Sequence, residues 1–203
     1  MTGKLGDIPK QVKERLEKIN IHSDNLVKFI NDLLDIARIE SGRIELSLQK
    51  CDLSSLIENT RDLLTPQMKE KNIRWTGQAD KNLPEIYADK SQIERVFINL
   101  IGNAVKFTPD GGTIGIAAQK INGEIIVKVS DTGIGIKEED LPRIFNEFYR
   151  VENPINENVK GTGLGLTLAK KIIEAHQGKI WVTSKLNEGT TFHFTLPVEQ
   201  KLM

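Results

Sequence analysis

The sequence predicts an α+β fold: a two-layer sandwich with a mixed sheet, three helices on one face of it, and one long helix in front. Three observations predict it. Short alternating apolar stretches recur from residue 43 to the end, separated by turn residues, as strands do. Three longer stretches, near 52–72, 89–108 and 164–177, repeat their apolar residues at helical spacing. Strands and helices mixed in this way pack as a sheet with helices layered on it. The segment from about 9 to 42 is different, being one long amphipathic helix with no equal beside it.

The chain of 203 residues is long enough for one domain and an appendage. Lys plus Arg number 28 and Asp plus Glu number 28, so no net charge points to nucleic acid or an anionic membrane as a partner. The single cysteine, Cys51, rules out an internal disulfide and suits a reducing compartment. No stretch approaches the roughly 18 apolar residues that a membrane span needs. Residues 1–9 read as a loop, and the chain is expected to be a piece of something longer.

The elements follow in order. Pro9 suits a helix start, and Val12, Leu16, Ile19, Leu26, Ile30, Leu33, Leu34 and Ala37 form a wide apolar stripe up to a stop at Gly42. Such a stripe wants partner helices. His22 reads as a residue flanking that stripe. Residues 43–52 alternate through Ile44, Leu46 and Leu48 as a strand. Asp52 is a candidate N-cap for a helix to about 72, with a kink or break expected at Pro66. Strands are expected at 73–79 and 85–88, and Asp89 then caps the next helix. The turn at 108–112 (Thr-Pro-Asp-Gly-Gly) leads to strands 113–121 and 124–130, joined at Asn122-Gly123, a strong hairpin signal. Residues 136–150 read as partly helical and 151–161 as a loop. A helix at 164–177 closes at Gly178, and a final hairpin pairs 179–184 with 190–197.

Three motifs carry chemistry. In 99–108 (Asn-Leu-Ile-Gly-Asn-Ala-Val-Lys-Phe-Thr), Asn99, Asn103 and Lys106 recur at i, i+4 and i+7 and stack on one helix face. Carboxamide oxygens and an ammonium suit a polyphosphate held through a divalent cation. Residues 131–136 (Asp-Thr-Gly-Ile-Gly-Ile) follow a strand; the glycines admit a ligand close to the backbone, and Asp131 can accept from an exocyclic amine such as that of adenine. Residues 161–166 (Gly-Thr-Gly-Leu-Gly-Leu) open a helix, where backbone N–H groups and the helix dipole make an anion site. Neither a dinucleotide fingerprint nor a P-loop is present, and the H-R-D and D-F-G signatures of serine, threonine and tyrosine kinases are absent.

Taken together, these motifs resemble the ATP-binding domain of sensor histidine kinases, within the wider Bergerat-fold group of type II topoisomerase, Hsp90 and MutL ATPases. Residues 99–108 resemble the N box, 131–136 the first glycine box and 145–150 (Phe-Asn-Glu-Phe-Tyr-Arg) the F box. Residues 161–166 resemble the second glycine box, and 189–192 (Gly-Thr-Thr-Phe) the short motif before the last strand. The resemblance implies ATP and Mg²⁺ as cofactors. It implies that Asn103 ligates the metal, that Asn99 and Lys106 contact phosphates, that Asp131 binds the adenine amine, and that Arg150 reaches the γ-phosphate. It implies a nucleotide site that also includes Gly133, Gly135, Phe148, Thr162, Leu164 and Thr191, with Gly161, Gly163 and Gly165 hinging a lid over about 147–160. Phe145 and Phe148 would couple that lid to the core.

The hydrolytic members of that group resemble one another in placing a Glu four residues before the metal-binding Asn, as general base on water. This chain has Asn99 there, which takes no proton at neutral pH. That favours transfer to an imidazole nitrogen, which asks for positioning and charge neutralisation more than for a base. A hydrolytic ATPase and an ATP-dependent interaction module remain the alternatives. Residues 29–42 resemble the second helix of the dimerisation and phosphoacceptor hairpin. None of His22, His176 and His193 is followed by Glu/Asp-Leu-Arg, so the acceptor is expected on a helix outside this chain. The implied organisation is 1–42 as the remnant of that hairpin and 43–203 as the catalytic domain. The implied partners are the phosphoacceptor helices, a response regulator receiver domain and a second protomer, with no nucleic acid and no membrane contact. The implied location is the cytoplasm, a membrane anchor on the parent protein being left open.

Overall fold

A hairpin at the centre of the chain organises the sheet. Strands β4 (Thr113–Ile121) and β5 (Glu124–Asp131) pair antiparallel across Asn122-Gly123, both in the left-handed region at φ 50° and 85°, as a two-residue hairpin turn requires. The computed structural model describes residues 8–41, 46–80, 82–151 and 161–199, without the side chains of Asn25, Lys28, Gln78 and Ala79. Gly42 and Ile44, named above as a helix stop and a strand residue, lie outside the described residues, as does most of the expected lid.

β2 (Arg74–Ala79) adds to β4 in parallel, while β7 (Gly189–Pro197) adds antiparallel to β5 and β6 (Ile180–Lys185) to β7. The order β2-β4-β5-β7-β6 makes a mixed five-stranded sheet. Alternation buries one face through Ile114, Ile116, Ile125, Val127, Val129, Phe192 and Phe194. Three helices cover that face: α2 (Leu53–Glu70), α3 (Lys90–Phe107) and α4 (Gly165–Ala175). Phe97 of α3 meets Phe194 edge-on at 5.6 Å between ring centroids. The strands expected at 43–52 and 85–88 form a second, two-stranded sheet, β1 (Gln49–Cys51) with β3 (Ile86–Ala88).

Several local expectations change in detail. Asp52 caps α2 by accepting from Ser54 N–H at 2.9 Å. The helix nevertheless continues unbroken through Pro66. Pro66 and Asp62, whose carbonyl loses its donor, are both exposed, so water can take the freed bond. In 136–150 only a single 3-10 turn, Leu141–Arg143, is helical. At the end of α4 the left-handed residue is Gln177 (φ 62°), not Gly178, whose N–H closes the helix onto Ile173 O at 2.9 Å.

The long helix α1 (Lys10–Glu40) lies against the domain through its C-terminal half. Ile36 is buried at 2% exposure, and Phe29 and Ile39 pack beside it. Arg95 of α3 bridges Asp32 at 3.0 Å and Asp35 at 2.5 Å, and Lys171 of α4 meets Glu40 at 2.9 Å. The side that docks is therefore Phe29, Asp32, Ile36 and Ile39. The apolar stripe read from the sequence stays exposed, Ile19 by 63% and Leu26 by 58%.

Candidate functional site

α3 builds one wall of the site. Asp89 Oδ1 accepts from Ser91 N–H at 3.1 Å and Gln92 N–H at 3.2 Å, which starts the helix there. Ile93, Phe97, Leu100, Ile101 and Ala104 then face the core, leaving Asn99, Asn103 and Lys106 along one flank. These three line a cavity of about 470 Å³. The opposite wall is Asp131 at the end of β5, with Ile134, Gly135 and Ile136 after it and Thr190 on β7. Gly161, Thr162, Gly163 and Gly165, at the entrance to α4, line it together with Tyr149, Arg150 and Val151. His22 and Asp32 of α1 also border it.

The glycine segment lies hard against the polar flank of α3. A Cβ added at Gly161 would stand 3.0 Å from Lys106 Nζ, and one at Gly165 would stand 3.2 Å from Asn99 Oδ1. Two glycines are required by the backbone itself. Gly135 has φ 67° and a Cβ there would strike Lys185 O at 2.0 Å; Gly163 has φ 77° and would strike the Phe148 backbone at 2.7 Å. Thr162 Oγ1 accepts from Leu164 N–H at 3.3 Å, just before the N-terminus of α4 and its unsatisfied N–H groups.

Asp131 Oδ1 accepts from Gly133 N–H at 2.8 Å and Thr190 N–H at 3.3 Å. Burial nevertheless pushes its carboxyl above the ordinary value, the two donors opposing that rise. With Oδ1 held, Oδ2 is the acceptor left for a ligand. Nearby, Tyr149 O–H donates to Asp140 at 2.5 Å and Arg143 lies 4.7 Å over the Tyr149 ring. These contacts fix the segment that carries Arg150.

Of the residues predicted from sequence, Asn99, Asn103, Lys106, Asp131, Gly135, Arg150, Gly161, Thr162, Gly163 and Gly165 come together on one cavity. Gly133, Phe148, Leu164 and Thr191 do not line it. Gly133 acts behind the wall, on Asp131. Phe148 is 54% exposed with φ 60°, while Phe145 packs against Phe192 at 6.3 Å, so only Phe145 joins the core. Leu164 is fully buried among the core residues. Thr191 sits on β7 with the opposite parity to Phe192 and so faces away from the helices; Thr190, one residue earlier, is the one that reaches the cavity. The parity of Phe192 and Phe194 was the signal that could have chosen Thr190. Ile134, Ile136 and Tyr149 carried no such signal.

A family model described as histidine kinase-, DNA gyrase B-, and HSP90-like ATPase matches residues 88–200, more than half of the chain. The chain belongs to this family. It is 39% identical over 201 residues to the drug sensory protein A of Synechocystis sp., covering 94% of this chain and 30% of that protein. Full-length ShkA, solved in complex with AMPPNP, superposes with a TM-score of 0.83 at 29% identity, covering 97% of this chain and 41% of that one. The histidine kinase ThkA, solved in complex with the response regulator protein TrrA, superposes at 0.70 and 28% identity, covering 96% of this chain and 54% of that one. The fold is thus the histidine kinase catalytic fold with a long helix before it. The chain spans between 24% and 52% of the length of the curated relatives it matches. Among the described residues, no helix is long and apolar enough to cross a membrane.

Proposed function

We propose that this chain is the catalytic domain of a sensor histidine kinase. It binds Mg-ATP in the cavity between α3 and the 131–136 loop and delivers the γ-phosphoryl to a histidine on a dimerisation helix, for relay to a response regulator. The observation that carries the reading is the two-ended cavity, with the half-buried Asp131 carboxylate at one end and Asn99, Asn103, Lys106 and the α4 entrance at the other. A purine amine and a polyphosphate ask for those two ends. Asp131 Oδ2 accepts from the amine, and Lys106, Arg150 and the glycine-segment N–H groups hold phosphate oxygens.

The donor set fits a magnesium ion. Among the described residues no cluster of three or more His, Cys, Asp or Glu could cage a metal, whereas Asn103 offers a hard amide oxygen facing the phosphate end. That suits a cation which takes most of its ligands from phosphates and water. When bound, it supplies charge neutralisation at the phosphates. Asn99 orients phosphate and offers water no base. An acceptor imidazole brings its own lone pair: its nitrogen bonds to the γ-phosphorus as the bond to the bridging oxygen breaks and ADP departs.

Residues 1–42 are read as the second helix of the dimerisation hairpin and 43–203 as the catalytic domain. The exposed stripe of α1 would be covered by the other helix of such a hairpin and by a second protomer. A response regulator receiver domain is the proposed downstream partner, with no nucleic acid or membrane contact by this chain, and the cytoplasm the proposed location. His22 borders the cavity but lacks the Glu/Asp-Leu-Arg that follows an acceptor, so it is not assigned that role.

The test is transfer of labelled phosphate from ATP to a supplied His-containing hairpin domain. Acid-labile label on the hairpin supports the kinase reading; free phosphate alone supports a hydrolase. The chain by itself should label little, and strong acid-labile labelling lost in His22→Ala would overturn the assignment of the acceptor to another helix.

A further inference from the structure

The last four carbonyls of a helix have no partner within it. In α3 these are Ala104, Val105, Lys106 and Phe107, and each is met. Ala104 O accepts from Thr108 N–H at 3.0 Å and Phe107 O from Ile134 N–H at 3.3 Å. Val105 O and Lys106 O both accept from a single ammonium, Lys71 Nζ, at 2.9 and 3.2 Å. The same group donates to Thr108 O at 2.7 Å. Lys71 occupies the C-cap position of α2, and its own carbonyl accepts from Gly111 N–H at 2.9 Å. It holds the end of α3 and the 108–112 turn together without lining the cavity.

We infer that Lys71 is a positioning and charge-balancing residue for the phosphate end of the site. This rests on the reading of the cavity as an ATP site. The C-terminus of a helix carries roughly half a negative charge in its open carbonyls. Asn103 and Lys106 stand in the last two turns of α3, so a polyphosphate gripped there lies beside that negative end. An ammonium bonded to two of those carbonyls, and to the Thr108 carbonyl just past them, offsets them. It also fixes the backbone from which the Lys106 side chain springs. The ligand's base, held at Asp131, carries no charge and feels this field little. The effect is therefore specific to the charged end of the ligand.

The test is titration calorimetry of the whole chain with Mg-ATP and with adenosine, on the unsubstituted protein and on Lys71→Met, Lys71→Gln and Lys71→Arg. ATP affinity should fall about five- to tenfold in the Met and Gln variants. Adenosine affinity should stay within about twofold, and Arg should restore ATP binding to within about twofold. Gln keeps N–H donors without the charge and Arg keeps both, so the question stays answerable if the Met variant fails to fold. A Gln variant that binds ATP normally overturns the role for charge. Equal losses for ATP and adenosine overturn the inference as a whole, marking simple loosening of the fold. Failure of the unsubstituted chain to bind ATP sinks the site reading itself; when that chain binds ATP, the reading stands whichever way the Lys71 variants fall.

Discussion

Asp131→Asn isolates the residue assigned to the base. Two backbone N–H groups already hold Oδ1, so an Asn in the same rotamer keeps its carbonyl oxygen there. Its NH2 then takes the place of Oδ2 and faces the ligand. Toward an adenine amine, an acceptor has become a donor. The variant loses a hydrogen bond to a charged acceptor, about 1.5–3 kcal/mol, and leaves two donors opposed. At about 1.4 kcal/mol per tenfold, Kd for ATP should rise roughly ten- to 150-fold. A base with a keto oxygen in place of the amine should now be favoured, so ITP should lose far less and the ATP-to-ITP preference should fall or invert. Stability should hold, because burial raises the Asp131 carboxyl and its ionised form does not favour the fold. The assay is competitive nucleotide titration with a thermal melt as control. An unchanged ATP-to-ITP ratio in a folded variant would refute the placement of the base at Asp131.

Four further outcomes follow from the geometry. Asn99→Asp places a carboxylate beside the proposed phosphates and should cut both ATP affinity and phosphotransfer at least tenfold; unaffected turnover and transfer would remove α3 from the phosphate site. Acidification from pH 7.5 to 5 should lower Tm. Burial holds the His176 imidazole below its ordinary value despite the facing Asp89 carboxylate; as the neutral ring it donates from Nδ1 to Ile172 O at 2.8 Å and accepts Asp89 N–H at 3.0 Å. A folded pKa below the unfolded value near 6.5 gives stability that is complete above 6.5 and lost as pH falls below it, so His176→Gln should flatten the slope. Phe97→Ala empties a fully buried site against Phe194 and should cost about 3–5 kcal/mol, roughly 6–20 °C in Tm by calorimetry. Arg95→Ala removes both ion pairs that tie α1 to α3, leaving Asp35 only Arg38 of its own helix, and should increase limited-proteolysis cleavage within α1 several-fold while leaving the melt of the rest nearly unchanged; an unchanged digestion pattern would show that the ion pairs do not hold α1 in place.

Where local chemistry decides, the sequence was legible. Asp52 and Asp89 cap helices because an Asx side chain two or three residues before open N–H groups needs nothing distant. Asn122-Gly123 makes its hairpin for the same reason. The i, i+4, i+7 spacing of Asn99, Asn103 and Lys106 guarantees a shared face in any helix. Where partners are distant, the reading fell short. A kink or a break is the local expectation at Pro66, and of the two the break does not occur, since Pro66 lies on the exposed side of α2. Thr190 and Thr191 are equivalent in composition, and strand parity against the helix layer chooses between them.

By itself, then, the sequence determined the helix starts, the hairpins, the polar flank of α3 and the glycine segments that admit a ligand. These follow from spacings of a few residues and from backbone freedom. Only the tertiary structure decided which side of α1 docks. Arg95 and Lys171 supply its partners from 63 and 131 positions away, and the more apolar stripe stays in solvent. It also decided that Lys71 closes α3 from across a turn, 34 residues from Val105. A charge's partner is set by where the chain folds back, and no local pattern encodes that.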